Sequence, residues 1–104
     1  MNRGEVWWLE EPESGRRPAC VLTRQEATAV LRQVTVALAT RTIRSIPTEV
    51  ELGRADGMPE HCALSLDNVR TVPKAMLTER ITTLSSLRLR EVCTALGRAT
   101  GCYL

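Results

Sequence analysis

The sequence predicts an α+β domain in which several short antiparallel strands form a small barrel-like sheet and a single helix ends the chain. Three observations carry this expectation. Apolar or alternating stretches recur from residue 5 to residue 83, several of them opened or closed by glycine or proline. A sustained helical repeat is confined to the segment after Leu84. A length of 104 residues, 43% apolar and 25% charged, suits one domain spanning 1–104 and not a disordered chain.

Glu5 to Leu9 is a β-rich run opened by Gly4; of the adjacent Trp7 and Trp8, a strand turns one to the core and one outward. "EEPESGR" reads as turn and loop. Pro18 to Thr23 is the second strand, with its proline at the tolerated first position. "RQEATAVL" predicts a short helix or helical turn. Val34 to Ala39 alternates only weakly and is apolar enough for a central strand. Thr48, Val50 and Leu52 recur at period two in a half-buried strand closed by Gly53, and "RADGMPEH" is loop. "CALSL" and "NVRTVP" are two short strands or one strand bent around Asp67-Asn68, and "LTERITTL" continues the sheet. Ser85 is placed to cap the last helix, with Leu84 and Leu89 at the hydrophobic-staple positions. Leu89, Val92, Cys93, Leu96 and Tyr103 share its apolar face.

The charge is modest, a formal +2, but thirteen of the fourteen cations are arginine, whose planar fork suits phosphate better than the point charge of lysine. Cys20, Cys62, Cys93 and Cys102 show no C-x-x-C spacing and read as buried reduced thiols. His61 and Cys62 are neighbours, an awkward pair for one metal ion, so neither metal nor cofactor is expected. The first ten residues, "MNRGEVWWLE", lack the apolar region of a signal peptide, and no stretch approaches a membrane span. A reducing cytoplasm is the expected setting. The lone histidine, the lack of a Gly-x-Ser-x-Gly elbow and the lack of a phosphate-cradling glycine motif disfavour triad hydrolysis and P-loop chemistry.

What is left is arginine, threonine, a few carboxylates and tryptophan, a set that suits cleavage of RNA by its own 2′-hydroxyl. Such a substrate brings its nucleophile. The protein has to align it, stabilise charge on a phosphorane-like transition state, and move two protons. The stretch "SGRRPACVLTR" fixes Arg16 and Arg17 on a stiff Arg-Pro junction. Taken alone, Arg17 is open between an anion-gripping fork and a surface cation beside Pro18. Thr40 is open between a site group and an ordinary strand end, Asp67 between a carboxylate with a task and half of a turn pair, and Trp8 between a base platform and a packing residue.

"RGEVWWLE", "GRRPACVLTR", "VALATRTIRSIPTEVEL" and "LSLDNVRTVPKAMLTERI", in that order, resemble the MazF/PemK (Kid) toxin family over nearly the whole chain. The resemblance implies an SH3-like β-barrel with helices, a homodimer whose groove binds single-stranded RNA, and metal-free cleavage to 2′,3′-cyclic phosphate and 5′-hydroxyl ends. It implies a cognate MazE-like antitoxin, whose disordered acidic tail fills the basic groove. The family's catalytic arginine falls on Arg17, its catalytic threonine on Thr40, and an acidic position used by some members on Asp67; Arg16 becomes the electrostatic neighbour of Arg17. The first loop departs from the family, being short and carrying Glu10, Glu11 and Glu13, so substrate choice does not carry over. Arg41 and Arg44 give Thr40 a more cationic rim, suited to flanking phosphates. Two alternatives remain. CcdB-like gyrase-binding toxins share the fold but lack the "R-R-P" opening and the Arg-Thr pair. A non-catalytic RNA-binding module would bind tightly and leave its RNA intact.

Overall fold

The computed structural model describes residues 1–102; Tyr103, assigned above to the helix face, lies outside the described residues. The strands are β1 (Glu5–Glu11), β2 (Gly15–Val21), β3 (Gln33–Thr40), β4 (Glu49–Leu52), β5 (Cys62–Pro73) and β6 (Leu77–Thr83). A single turn of helix, α1 (Gln25–Thr28), precedes β3, and α2 (Ser86–Thr100) ends the fold. The strands make one antiparallel sheet in the order β4-β5-β3-β2-β1-β6. The sheet is curled, because Glu11 on β1 reaches past β2 and β3 to Arg70 on β5 with two hydrogen bonds of 2.7 and 2.5 Å.

Both faces of the sheet are buried. Val6, Cys20, Ala37, Ala39, Leu52 and Leu64 turn toward a core that includes Val92 and Ala95 of α2. Leu9, Val21, Val34, Val36, Leu38 and Val72 form a second core on the opposite face. This is why "VTVALA" alternates so weakly: a strand covered on both faces needs no polar side. Val50 and Leu52 of β4 are buried, as their period predicts.

The first hairpin is longer than its sequence suggests. Glu10 pairs with Arg16 and Glu11 with Gly15, leaving only Pro12 to Ser14 as turn, and Gly15 supplies the positive φ of 75° that returns the chain. Strand pairing there is carried by backbone hydrogen bonds, which polar side chains do not advertise. β5 is one bent strand. Ala37 pairs with Val69 and Leu38 with Ser65, so Leu66, Asp67 and Asn68 are surplus and bulge from the ladder.

Ser85 caps α2 by accepting the Arg88 N–H at 3.2 Å, and Gly101 ends the helix with a left-handed φ of 72°. The thiol expectation needs correction. Cys20 and Cys62 are buried, but Cys93 and Cys102 are exposed. The contact stripe of α2 runs through Leu89, Val92, Ala95, Leu96 and Ala99, and Cys93 lies at its edge, where the Arg3 guanidinium donates to its sulfur at 3.0 Å. Among the described residues no helix is long and apolar enough to cross a membrane.

Candidate functional site

The site begins with a defect in the β2–β3 ladder. Cys20 faces Ala37 and Ala19 faces Leu38, so the register puts Pro18 opposite Ala39. The Leu22 N–H donates to the Thr35 carbonyl at 2.8 Å, and hydrogen-bonded positions recur every second residue, which makes Pro18–Ala39 the next such pair but one. Proline has no N–H to give. The Arg17 guanidinium takes over, with Nη2 donating to the Ala39 carbonyl at 2.8 Å. One arm of the fork is thereby tethered, and its other donors are left for an anion.

Two depressions meet at this point. The first, of about 350 Å³, is lined by Trp8, Arg16, Arg17, Thr40, Arg41 and Glu60, with Met58 and Pro59 among its apolar residues. The second, of about 370 Å³, is lined by Arg17, Thr40, Arg44, Glu49, Asp67 and Asn68 among others. Arg17 and Thr40 line both and form the ridge between them. All seven candidate residues thus line one continuous surface, with Trp8, Arg16 and Arg41 on one side and Arg44 and Asp67 on the other.

Local contacts set each side chain. Trp7 packs on the second core and donates its indole N–H to Glu5 at 2.9 Å, while the outward Trp8 carries the Arg16 guanidinium over its ring, 3.9 Å from the centroid. Thr40 Oγ1 accepts the Thr42 N–H at 3.1 Å. Thr48 Oγ1 donates to Asp67 Oδ2 at 2.5 Å, which fixes the carboxylate on the β5 bulge. Arg41 Nε lies 3.0 Å from Glu60 Oε2. Arg44 is held by Glu49 through its backbone N–H at 2.9 Å and, more loosely, its side chain at 3.5 Å. Ser45, at a φ of 54°, makes the reversal that allows this return.

Two carboxylates of the first hairpin are already partnered outside the two depressions. Glu10 accepts the Thr78 hydroxyl, and Glu11 is taken up by Arg70. The Arg70 hydrogen bonds hold the Glu11 carboxyl below its ordinary value, helped by the nearby charge of Arg17. His61 pairs with Glu51 at 2.7 Å on an exposed edge, and it lines neither depression. Among the described residues no group of three or more His, Cys, Asp or Glu is placed to hold a metal ion.

A family model described as "PemK-like, MazF-like toxin of type II toxin-antitoxin system" matches residues 2–100. The chain belongs to this toxin family. It is 46% identical over 101 residues to the probable endoribonuclease MazF5 of Mycobacterium tuberculosis, covering 96% of this toxin and 93% of that relative. It is 40% identical over 103 residues to the probable endoribonuclease MazF2 of the same species, covering 98% and 100%. Among solved structures, the M. tuberculosis toxin MazF-mt6 superposes with a TM-score of 0.88 at 28% identity, covering 96% of this toxin and 99% of that chain. A mycobacterial endoribonuclease in complex with its cognate antitoxin gives a TM-score of 0.90 at 24% identity, covering 100% and 98%, and shows the same fold.

The sequence reading of this toxin missed the carboxylates and the hydroxyl that hold its arginines and Asp67. Glu49 and Thr48 sit on or beside a strand whose only visible signal is its apolar period. Glu60 belongs to an aperiodic loop, and its single cue was the Pro-Glu dipeptide that follows Met58.

Proposed function

We propose that this endoribonuclease toxin cuts single-stranded RNA without a metal ion at the Arg17–Thr40 ridge, leaving 2′,3′-cyclic phosphate and 5′-hydroxyl ends. The observation that carries the reading is that Arg17 and Thr40 line both depressions, so a strand laid across them puts a phosphate beside the tethered guanidinium. In the reaction the 2′-oxygen bonds to phosphorus and gives up its proton, the P–O5′ bond breaks, and the departing 5′-oxygen gains a proton from solvent water. Arg17, always charged at a pKa above ~12, stabilises the developing phosphorane charge and is no base. Thr40 Oγ1 orients the 2′-hydroxyl, and Asp67, fixed by Thr48, receives its proton.

Arg16 raises the local potential, Arg41 and Arg44 hold flanking phosphates, and Trp8 stacks on a base, a contact worth ~1–3 kcal/mol. The protein acts in the cytoplasm as a homodimer, its residues 1–104 forming one toxin domain, and a cognate antitoxin silences it by laying an acidic segment along the cationic rim. The family match over 2–100 and the antitoxin complex of the mycobacterial relative support this.

Purified protein incubated in EDTA with an RNA pool, beside Arg17→Ala, tests the reading by mass spectrometry of the product ends. Cyclic-phosphate ends from the parent and none from the variant are expected. Cleavage that EDTA abolishes would overturn metal independence. Intact RNA from both proteins would overturn cleavage, and a gyrase-binding assay would follow.

A further inference from the structure

We infer that the depression between Trp8 and Glu60 is a base pocket for guanine, with the Glu60 carboxylate reading the Watson–Crick edge. The inference rests on the RNA-cleavage reading for its ligand class, and it goes beyond it by naming the base.

The lining suits a flat ring. Trp8 has the Arg16 guanidinium 3.9 Å over its ring centroid, and Met58 and Pro59 add apolar surface to the same depression. Single-stranded RNA is read this way, with unstacked bases set against aromatic rings or guanidinium planes and hydrogen-bonded along their edges.

The polar lining then selects among bases. Arg16, Arg17 and Arg41 are donors only and complement phosphates, whereas Glu60 is an acceptor only. A carboxylate in a groove for a polyanion opposes binding unless it meets donors on the ligand. Glu60 has room for them. Its Oε2 takes Arg41 Nε at 3.0 Å, yet two carboxylate oxygens offer about four acceptor positions, and the side chain is 58% exposed. Guanine presents two adjacent donors, N1–H and the 2-amino group, which match both oxygens at once. Adenine and cytosine set a ring-nitrogen acceptor beside their single amino group, and uracil flanks its N–H with two carbonyls. Each of these turns a lone pair toward Glu60. A well-formed bidentate contact discriminates against the wrong base by roughly tenfold or more.

Short 2′-O-methyl oligouridines, which lack the nucleophile and cannot be cut, test this by fluorescence anisotropy. One central position carries guanine, inosine, adenine or cytosine. The wild type should bind the guanine oligonucleotide about tenfold or more tighter than the adenine or cytosine one, with inosine, lacking the 2-amino group, between. Glu60→Gln offers one acceptor and one donor, a pair that adenine, cytosine and guanine can each match along their Watson–Crick edges, and should remove most of the guanine preference. Glu60→Ala should bind all four alike. Glu60 is on the surface, so these variants retain the fold. A wild type without guanine preference, or a preference that survives Glu60→Ala, would overturn the proposal, even with the cleavage assay positive. A guanine preference that Glu60→Gln and Glu60→Ala remove would support it even if no cleavage were found, which separates this inference from the reading beneath it.

Discussion

The ladder defect at Pro18 makes a prediction that separates the two tasks of Arg17. Arg17→Ala removes the group that satisfies the Ala39 carbonyl, in a residue only 5% exposed. An acceptor left unpaired there costs ~1–3 kcal/mol, and each kcal/mol shifts Tm by about 4–8 °C in a domain of this size. The same substitution removes the transition-state donor, which should lower the cleavage rate by roughly 10²- to 10³-fold. Adding Pro18→Ala restores a backbone N–H opposite Ala39, because the register of β2 on β3 aims position 18 at that carbonyl. Thermal unfolding by circular dichroism and cleavage of one RNA oligonucleotide should then part company. The double variant recovers most of the lost Tm and stays inactive. Pro18→Ala alone, which sets the ~0.4–1 kcal/mol that proline contributes by restricting the unfolded chain against the new backbone N–H, is the reference for the double variant. Recovery of cleavage in the double variant would refute the assignment and reduce Arg17 to a substitute rung of the ladder.

Arg41→Gln and Arg44→Gln should each flatten the salt dependence of RNA binding by about one unit of slope; an unchanged slope would mean that the residue faces no phosphate. Asp56 is held below the ordinary carboxylate range, since burial acts to raise it but the Gly53 N–H and the Arg88 guanidinium outweigh burial. A depressed carboxylate stabilises the fold above its unfolded pKa of about 3.9 and loses that contribution as pH falls through its lower folded value. Asp56→Asn should therefore lower Tm at pH 7 and converge with the parent in strong acid, and a gap that persists there would contradict the linkage. Iodoacetamide on the native protein should label Cys93 and Cys102 but spare the buried Cys62 and Cys20; burial raises both thiols, that of Cys20 to about 12, and peptide mass spectrometry reads the outcome.

Much of this fold is local, and what is local was legible. Ser85, Leu84 and Leu89 announce the start of α2 because capping is decided within one turn. The period of Val50 and Leu52 announces a strand with one buried face. Where burial is two-sided the signal fades, as in β3, and where pairing runs into polar residues it vanishes, as at Glu10 and Glu11. The site divides the same way. Arg17 and Thr40 stand out through the Arg-Pro junction and the family resemblance. Their neighbours are brought in from a distance: Thr48 meets Asp67 across 19 positions, and Glu60 meets Arg41 only because the Arg54–Glu60 loop folds back on the end of β3. Nothing periodic marks such contacts. Cys93 shows the complementary error, for a helical face drawn from sequence is wider than the stripe that a curled sheet covers.

The site also lies where the sheet breaks its own rules. Pro18 withholds an N–H opposite Ala39, β5 carries three surplus residues between the partners of Ala37 and Leu38, and β3 itself ends at Thr40. These interruptions fall within Ala37–Thr40 because β2 and β5 are the two neighbours of β3. Each frees something that a regular ladder would consume. The first leaves a carbonyl that seats Arg17, the second pushes Asp67 and Asn68 out beside it, and the third opens the loop that bears Arg41 and Arg44. A regular sheet at this point would be more stable and would present only backbone already paired. Repairing the ladder at Pro18 while keeping Arg17 should therefore release the guanidinium from Ala39 and loosen its aim, so Pro18→Ala alone is expected to raise RNA Kd or slow cleavage in a protein whose ladder has gained a hydrogen bond. Stability and function are opposed here by the hydrogen-bond count of one carbonyl.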